Sequence, residues 1–289
     1  MNLDSVELCI KSNFSFLDGG SHPEEYAHQS IDLGLRAFAI TDHNSVSGIV
    51  RAHNELKKIN SGNNQKDNIF KTRLIPGTEI NTFEGLVITA LAKNRKGWAN
   101  ICRLLTQGKT SEKKGFCKIT LDDVLKYGEH IALLLHLSNK PNDKKWMELS
   151  KKIITKFPNT ALVLSPYYEG RDYELFIKTS KIAKILNVQL VASAYPIMHH
   201  SSRRKIIDVL RAIRKNCKVE ELGYNAERNA ERHMRGPEEL KEIFIGYNEA
   251  LINSVAIAQS CNFSLDELTH ECPSEISLGE TPNKKLLRL

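Results

Sequence analysis

Short β-prone runs alternate with helix-patterned stretches from the first residues to about His199, and this alternation constrains the fold more than any other feature. Val6 to Lys11 reads as a first strand and Ala37 to Ile40 as a second. Leu74 to Ile80, Leu86 to Leu91, Ile131 to Leu137, Ala161 to Ser165 and Gln189 to Ser193 follow. Between them lie helix patterns up to Gly34 and over about Val46–Ile59, Arg95–Thr106, Trp146–Phe157 and Tyr173–Leu186. Ser21-His22-Pro23-Glu24 fits a capping box with Ser21 as the cap and Glu24 reaching back. Thr120-Leu121-Asp122-Asp123 opens a shorter helix in the same way. Such alternation implies an α/β protein with a mostly parallel sheet or barrel. In that architecture the loops after parallel strands line one face and collect functional side chains.

After about residue 200 the strand patterns stop. Ile206–Arg214, Pro237–Phe244 and Asn248–Cys261 carry helical spacing, for example Ile206, Val209, Leu210 and Ile213. The chain therefore divides into 1–200, an α/β core, and 201–289, a helical extension expected to pack on it. Ser61 to Lys71 is polar and Asn-rich and reads as an exposed loop. No solenoid-period repeat is visible.

No apolar run approaches the ~18–20 residues of a membrane span, and Met1-Asn2-Leu3-Asp4 lacks the character of a signal peptide. The six cysteines are scattered without a C-x-x-C pair. Free thiols in a cytoplasmic protein without membrane partners are the expectation, rather than disulfides or structural zinc. The net charge of +7 permits contact with nucleic acid without requiring it. Basic residues concentrate between Lys93 and Lys118 and again between Arg203 and Lys218. Aromatic residues are sparse in both stretches, so neither reads as a stacking platform for single strands.

Two segments carry a family resemblance. Ser12-Asn13-Phe14-Ser15-Phe16-Leu17-Asp18-Gly19, followed by Ile40-Thr41-Asp42-His43-Asn44-Ser45-Val46-Ser47-Gly48, resembles the start of the PHP (polymerase and histidinol phosphatase) domain that heads bacterial C-family DNA polymerases, the DNA polymerase III alpha subunit family. Asn94 to Thr106, Asn229 to Leu240, Cys261 to Leu268 and Gly279-Glu280-Thr281-Pro282 are similar to stretches of the error-prone branch, the later ones to its link toward the polymerase palm. The resemblance implies a distorted (β/α)7 barrel with a C-terminal helical extension. It also implies that the nucleotidyl-transfer aspartates and their Mg lie beyond Leu289. The chain alone then has no polymerase activity, its partners are the palm and thumb of a parent polymerase, and DNA is reached through that parent.

The family's multi-metal site draws ligands from strand ends, where the metals activate water and clamp a phosphate. Asp18, His43 and Glu79 match three of those positions. Cys9 and Lys11 stand where His-x-His is expected, Val87 replaces a histidine, and Tyr195 and Ile197 stand at a late Asp-x-His. Tyr167 matches a further histidine position. Val87 and Ile197 offer no lone pair, and a protonated Lys11 repels a divalent cation. At most one weakly held Zn or Mn is expected, and the site reads as degenerate and the domain as structural. A metal-dependent phosphoesterase or 3′–5′ exonuclease and a nucleic-acid-binding module are the alternatives. Among other polar residues, His199 and His200 read as loop histidines, His233 as a helix-entry residue and His136 as a hydrogen-bonded core histidine. Ser12 and Ser15 lack a triad pattern. Two carboxylates left in one cleft need a positive charge between them, so the Lys11 amine is expected within salt-bridge distance of Asp18 or Glu79.

Overall fold

In a computed structural model the described residues are 5–62, 71–138, 143–269 and 281–288. Most of the polar loop expected over Ser61–Lys71, and the Gly279-Glu280 start of the last motif, lie outside them. The strands are β1 Val6–Ile10, β2 Ala37–Ile40, β3 Arg73–Asn81, β4 Val87–Ala92, β5 Ile131–Leu135, β6 Ala161–Leu164 and β7 Leu190–Ala192. The helices are α1 Pro23–Asp32, α2 Ile49–Gly62, α3 Arg95–Thr110, α4 Leu121–Tyr127, α5 Lys144–Lys156 and α6 Asp172–Leu186 within the strand region. Then come α7 Arg204–Lys215, α8 Pro237–Ile243, α9 Asn248–Ser260 and α10 Pro282–Arg288. Among the described residues, no helix is long and apolar enough to cross a membrane.

The strands form one curled sheet in the order β1-β2-β3-β4-β5-β6-β7, a distorted seven-stranded barrel. Pairings β1–β2, β2–β3, β5–β6 and β6–β7 are parallel. The β3–β4 and β4–β5 pairings are antiparallel, so the expected parallel order is broken at β4. The reason is the connection. Thr82 to Leu86 is too short for a crossover, and its turn closes through Gly85 N–H to Thr82 O at 2.9 Å with Gly85 at φ 98°. That reversal matters for the site, because it brings the start of β4 and the end of β5 to the same face as the ends of β1, β2, β3 and β7.

Side chains of β5 alternate between two cores. Ile131, Leu133 and Leu135 pack outward with Trp146, Leu149 and Ile153 of α5. Ala132 and Leu134 pack inward with Val6, Leu8, Ala37, Ala39, Ile75, Leu91 and Val191. Burial on both faces is why β5 reads as an unbroken apolar run. The edge strands β1 and β7 are joined by side-chain and loop bonds. The buried Glu7 carboxylate accepts from Cys9 N–H at 3.0 Å, from Ala194 N–H at 2.9 Å and from the Ser193 hydroxyl. Lys11 N–H donates to Pro196 O at 3.1 Å.

Of the helices beyond residue 200, α8 and α9 share the barrel's cores and α7 adds Ile207 beside Ile197 and Met198, whereas Ile206, Val209 and Ile213, expected from their spacing to pack, are exposed, as are Leu286 and Leu287 of α10. Leu240, Phe244 and Ala250 pack with Leu164, Phe176 and Ala192, and the Phe176 and Phe244 rings stack at 5.5 Å. Ala258 and Cys261 join the inward cluster. Ser254 of α9 accepts from Ala192 N–H at 2.8 Å and donates to Ala192 O at 2.9 Å. The cap of α1 falls one residue later than the sequence suggests. His22 is the N-cap and Glu25 accepts from its backbone N–H at 2.7 Å. Pro23 at the first helical position fixes that start, and Ser21 instead holds His199 through its backbone N–H at 2.9 Å. Thr120 and Asp123 form the expected capping box on α4.

Candidate functional site at the strand ends

Lys11, Asp42 and Glu79 stand at or just past the ends of β1, β2 and β3, and Tyr195 follows β7. The loop after β1 returns Asp18 to the same place. Its tight path is set at Gly19, where a Cβ would lie 1.9 Å from Ser12 O. The Lys11 ammonium is 3.1 Å from Asp18 Oδ2 and 3.1 Å from Glu79 Oε1. It therefore bridges both carboxylates, where the sequence led us to expect one. The other Glu79 oxygen, Oε2, accepts from the Tyr195 hydroxyl. Asp18 Oδ1 faces the Arg214 guanidinium of α7 at 3.9 Å. Lys11 also lies 5.1 Å from the centre of the Tyr195 ring, and Arg232 lies 5.5 Å from the same ring.

The cluster is dry on one side. The Glu79 side chain is 3% exposed, Lys11 12% and Asp18 31%. Burial is the largest single influence and raises a carboxyl pKa, but Lys11 together with Arg232 and Arg214 at Asp18, and with Tyr195 at Glu79, more than offsets it, and both Asp18 and Glu79 sit below the ordinary carboxylate range. Burial likewise opposes charge on Lys11, yet Glu79, Tyr195 and Asp18 hold its pKa above the usual value. The three groups are thus ionised together at neutral pH. Burial and the Glu79 charge push the Tyr195 phenol up, so it remains a donor.

Asp42, whose carboxylate could in principle ligate a metal, is spent on the β1 loop. It accepts from Ser12 N–H at 2.8 Å, the Ser12 hydroxyl at 2.7 Å and the Ser15 hydroxyl at 2.7 Å. Ser12 and Ser15 thereby anchor the β1 loop. His43 is exposed, and the Asn81 amide nitrogen is 3.2 Å from its Nδ1. Among the described residues no carboxylate lies within ion-pair distance of His43, and no three His, Cys, Asp or Glu side chains gather closely enough to share a metal. Cys9 is fully buried, 3.6 Å from Thr89 Oγ1, with its thiol pKa raised by burial. Ile197 is fully buried with Met198 and Ile207 and adds only its backbone, which accepts from Gly20 N–H at 2.8 Å.

A cavity of ≈ 650 Å³ adjoins the cluster, lined among others by Val87, His136, Ser165, Tyr167, Tyr195 and Arg232. His136 has its expected hydrogen bond, with Nε2 2.8 Å from Thr89 Oγ1, but its ring faces this cleft, 5.2 Å from Tyr195. Burial pushes its pKa down to about 4, so the ring is neutral at pH 7. His199, His200 and His233 have structural tasks. His199 Nδ1 lies 2.8 Å from Ser21 Oγ, His200 Nδ1 accepts from Ser202 N–H at 3.2 Å, and His233 Nδ1 donates to Met234 O at 2.8 Å. Sequence reasoning treated Tyr195 only as a lost ligand and did not single out Arg214 or Arg232 for the site. The surplus of negative charge left by Asp18 and Glu79 was the signal that could have pointed to them.

A seven-stranded α/β barrel with its polar residues gathered at one set of strand ends defines the class of this protein. A PHP domain profile matches residues 7–171, and the chain belongs to the PHP domain family. The error-prone DNA polymerase 1 of Rhizobium meliloti (strain 1021) is 33% identical over 294 residues, covering 100% of this chain and 25% of that protein. The error-prone DNA polymerase of Sinorhizobium medicae (strain WSM419) is 34% identical over 286 residues, covering 98% of this chain and 25% of that protein. The chain thus spans about a quarter of the length of these curated relatives. A solved structure from Bifidobacterium adolescentis ATCC 15703, assigned as a metal-dependent phosphoesterase, superposes with a TM-score of 0.46 at 13% identity, covering 66% of this chain and 86% of that one.

Proposed function

We propose that this chain is the PHP domain of an error-prone, translesion-type DNA polymerase, in which a lysine has taken over the electrostatic task of the family's metals. The barrel then serves as a structural platform for the palm and thumb of the parent polymerase. One observation carries the reading: the Lys11 ammonium stands 3.1 Å from both Asp18 and Glu79. A divalent ion between those carboxylates would meet a fixed positive charge. The second Glu79 oxygen is already taken by Tyr195, and Val87 and Ile197 bring no donor. The residues present do not fit a dinuclear or trinuclear metal cluster.

The test is metal content and hydrolysis measured together. Purified protein is dialysed against Zn²⁺ or Mn²⁺, its bound metal is quantified, and it is assayed on a simple phosphomonoester and a 3′-end-labelled oligonucleotide. Substoichiometric metal and no turnover are expected. The Lys11→His variant is expected to behave the same way, since Val87, Tyr195 and Ile197 still lack suitable ligands. Stoichiometric metal, with hydrolysis lost in chelator and in Glu79→Gln, would overturn the proposal.

A further inference from the structure

The basic stretch between Lys93 and Lys118 has no part in the Lys11 cluster, and the fold gives it something its sequence lacks. The turn after α3 runs along the tip of the β3–β4 hairpin. Phe83 N–H donates to Ile119 O at 2.8 Å, and Lys118 N–H donates to Gly108 O at 2.9 Å. The hairpin thereby delivers an aromatic ring, Phe83, into the lysine-rich turn. Phe83 is 71% exposed and Phe116, within the turn, is 68% exposed. Exposed rings occur elsewhere on the surface, Phe16 among them, and what distinguishes these two is their setting among lysines.

The charges around them are equally unspent. Lys109, Lys113, Lys114 and Lys118 are all exposed, and among the described residues none has a carboxylate within 4 Å. Lys118 instead sits over the Phe83 ring, 4.6 Å from its centre. Of the acids next to the turn in sequence, Glu84 accepts from Leu121 N–H at 3.0 Å and Asp123 from Thr120 N–H at 2.9 Å, while Glu112 and Asp122 are exposed. The turn is held in shape by its own backbone, with Phe116 N–H donating to Lys113 O at 3.0 Å. Two exposed aromatic rings, with Lys118 over one face of Phe83, among four lysines that have no carboxylate partner among the described residues match what single-stranded nucleic acid requires. Bases stack on the rings and phosphates meet the cations. A duplex offers the phosphates without free base faces, so it would use only half of the patch.

We propose that the patch formed by Phe83, Phe116, Lys113, Lys114 and Lys118 binds single-stranded nucleic acid. The proposal is independent of the Lys11 reading. It is tested by fluorescence anisotropy with a labelled oligothymidylate longer than about 16 nucleotides, against the same strand hybridised to its complement. Wild-type protein is expected to bind the single strand more tightly than the duplex. Phe83→Ser and Phe116→Ser, both at exposed positions, should each weaken the single-strand complex about 5- to 150-fold, the worth of one stacked base. Their duplex binding and thermal stability should stay as in wild type. Lys113→Gln/Lys114→Gln should flatten the plot of log affinity against log salt by about 0.7 per lysine. Lys205→Gln, in the other basic stretch, should leave binding unchanged. No single-strand binding by the wild type at low salt, equal binding of duplex, or wild-type affinity in Phe83→Ser/Phe116→Ser would each overturn it. A patch that serves an acidic protein surface instead would give one of these last results.

Discussion

Replacing Lys11 by methionine keeps an unbranched stem one atom shorter and removes its charge. Glu79 would then be a carboxylate 3% exposed with only the Tyr195 hydroxyl against it. Asp18, at 31% exposure and facing Arg214, can still draw on solvent and that guanidinium. The loss therefore falls mainly on Glu79. Breaking one side of a buried ion pair costs about 3–5 kcal/mol, because the surviving charge stays desolvated. For a chain of this size that is a fall in Tm of roughly 6–10 °C. The pH dependence gives the sign. In wild type the folded Glu79 pKa lies below its ordinary 4.5, so its contribution is present above that value and is lost as pH falls through the folded pKa. In Lys11→Met the folded pKa moves above 4.5, so folding is penalised at neutral pH and the penalty fades as Glu79 protonates. Urea unfolding at pH 7.5 and at pH 4.5 should show a large gap between wild type and variant at the higher pH and a much smaller one at the lower. Lys11→Met/Glu79→Leu should recover most of the loss, since it removes the orphaned charge. A variant within about 1 kcal/mol of wild type at pH 7.5, a gap that does not change with pH, or no recovery in the double variant would refute the reasoning.

Tyr195→Phe removes the hydroxyl that donates to Glu79 while leaving Lys11 in place. A loss of about 1.5–3 kcal/mol in urea unfolding is expected, as for a hydrogen bond to a charged acceptor. Gly19→Ala places a Cβ 1.9 Å from Ser12 O and 2.3 Å from the Ser12 carbonyl carbon, so the loop carrying Asp18 must shift. A loss of about 3 kcal/mol should appear in thermal unfolding. His136 should titrate near pH 4 by NMR and show no change between pH 6 and 8. Its folded pKa lies below the ordinary 6.5, so the unfolded chain binds more protons between those values and stability should fall as pH drops through that window.

The order of strands and helices was legible because each element carries its own period, and β2 is found at its expected residues, Ala37–Ile40. Strand direction is not a property of the strand. It was set by the five-residue link Thr82–Leu86, and a reading that follows alternation alone passes over that link. The same limit governs the site. A lysine at position 11 can be read as a replacement cation from charge alone, because Asp18 and Glu79 remain and need neutralising. Nothing local says that one ammonium bridges both, since that depends on how far the loop at Gly19 brings Asp18 back toward β1. Tyr195 shows the converse error. Read against a ligand pattern it is only a missing metal donor, yet a phenol kept neutral by burial is a good donor to the Glu79 carboxylate. His136 was hidden by its neighbours, an apolar run whose last strand residue, Leu135, faces a helix while the next side chain turns into the cleft. Phe83 was hidden by distance along the chain, since only the hairpin sets it against Lys118. Residue type therefore sufficed to ask which side chains could ligate a metal. What surrounds Asp18 and Glu79 depended on which loops the barrel brings to one end.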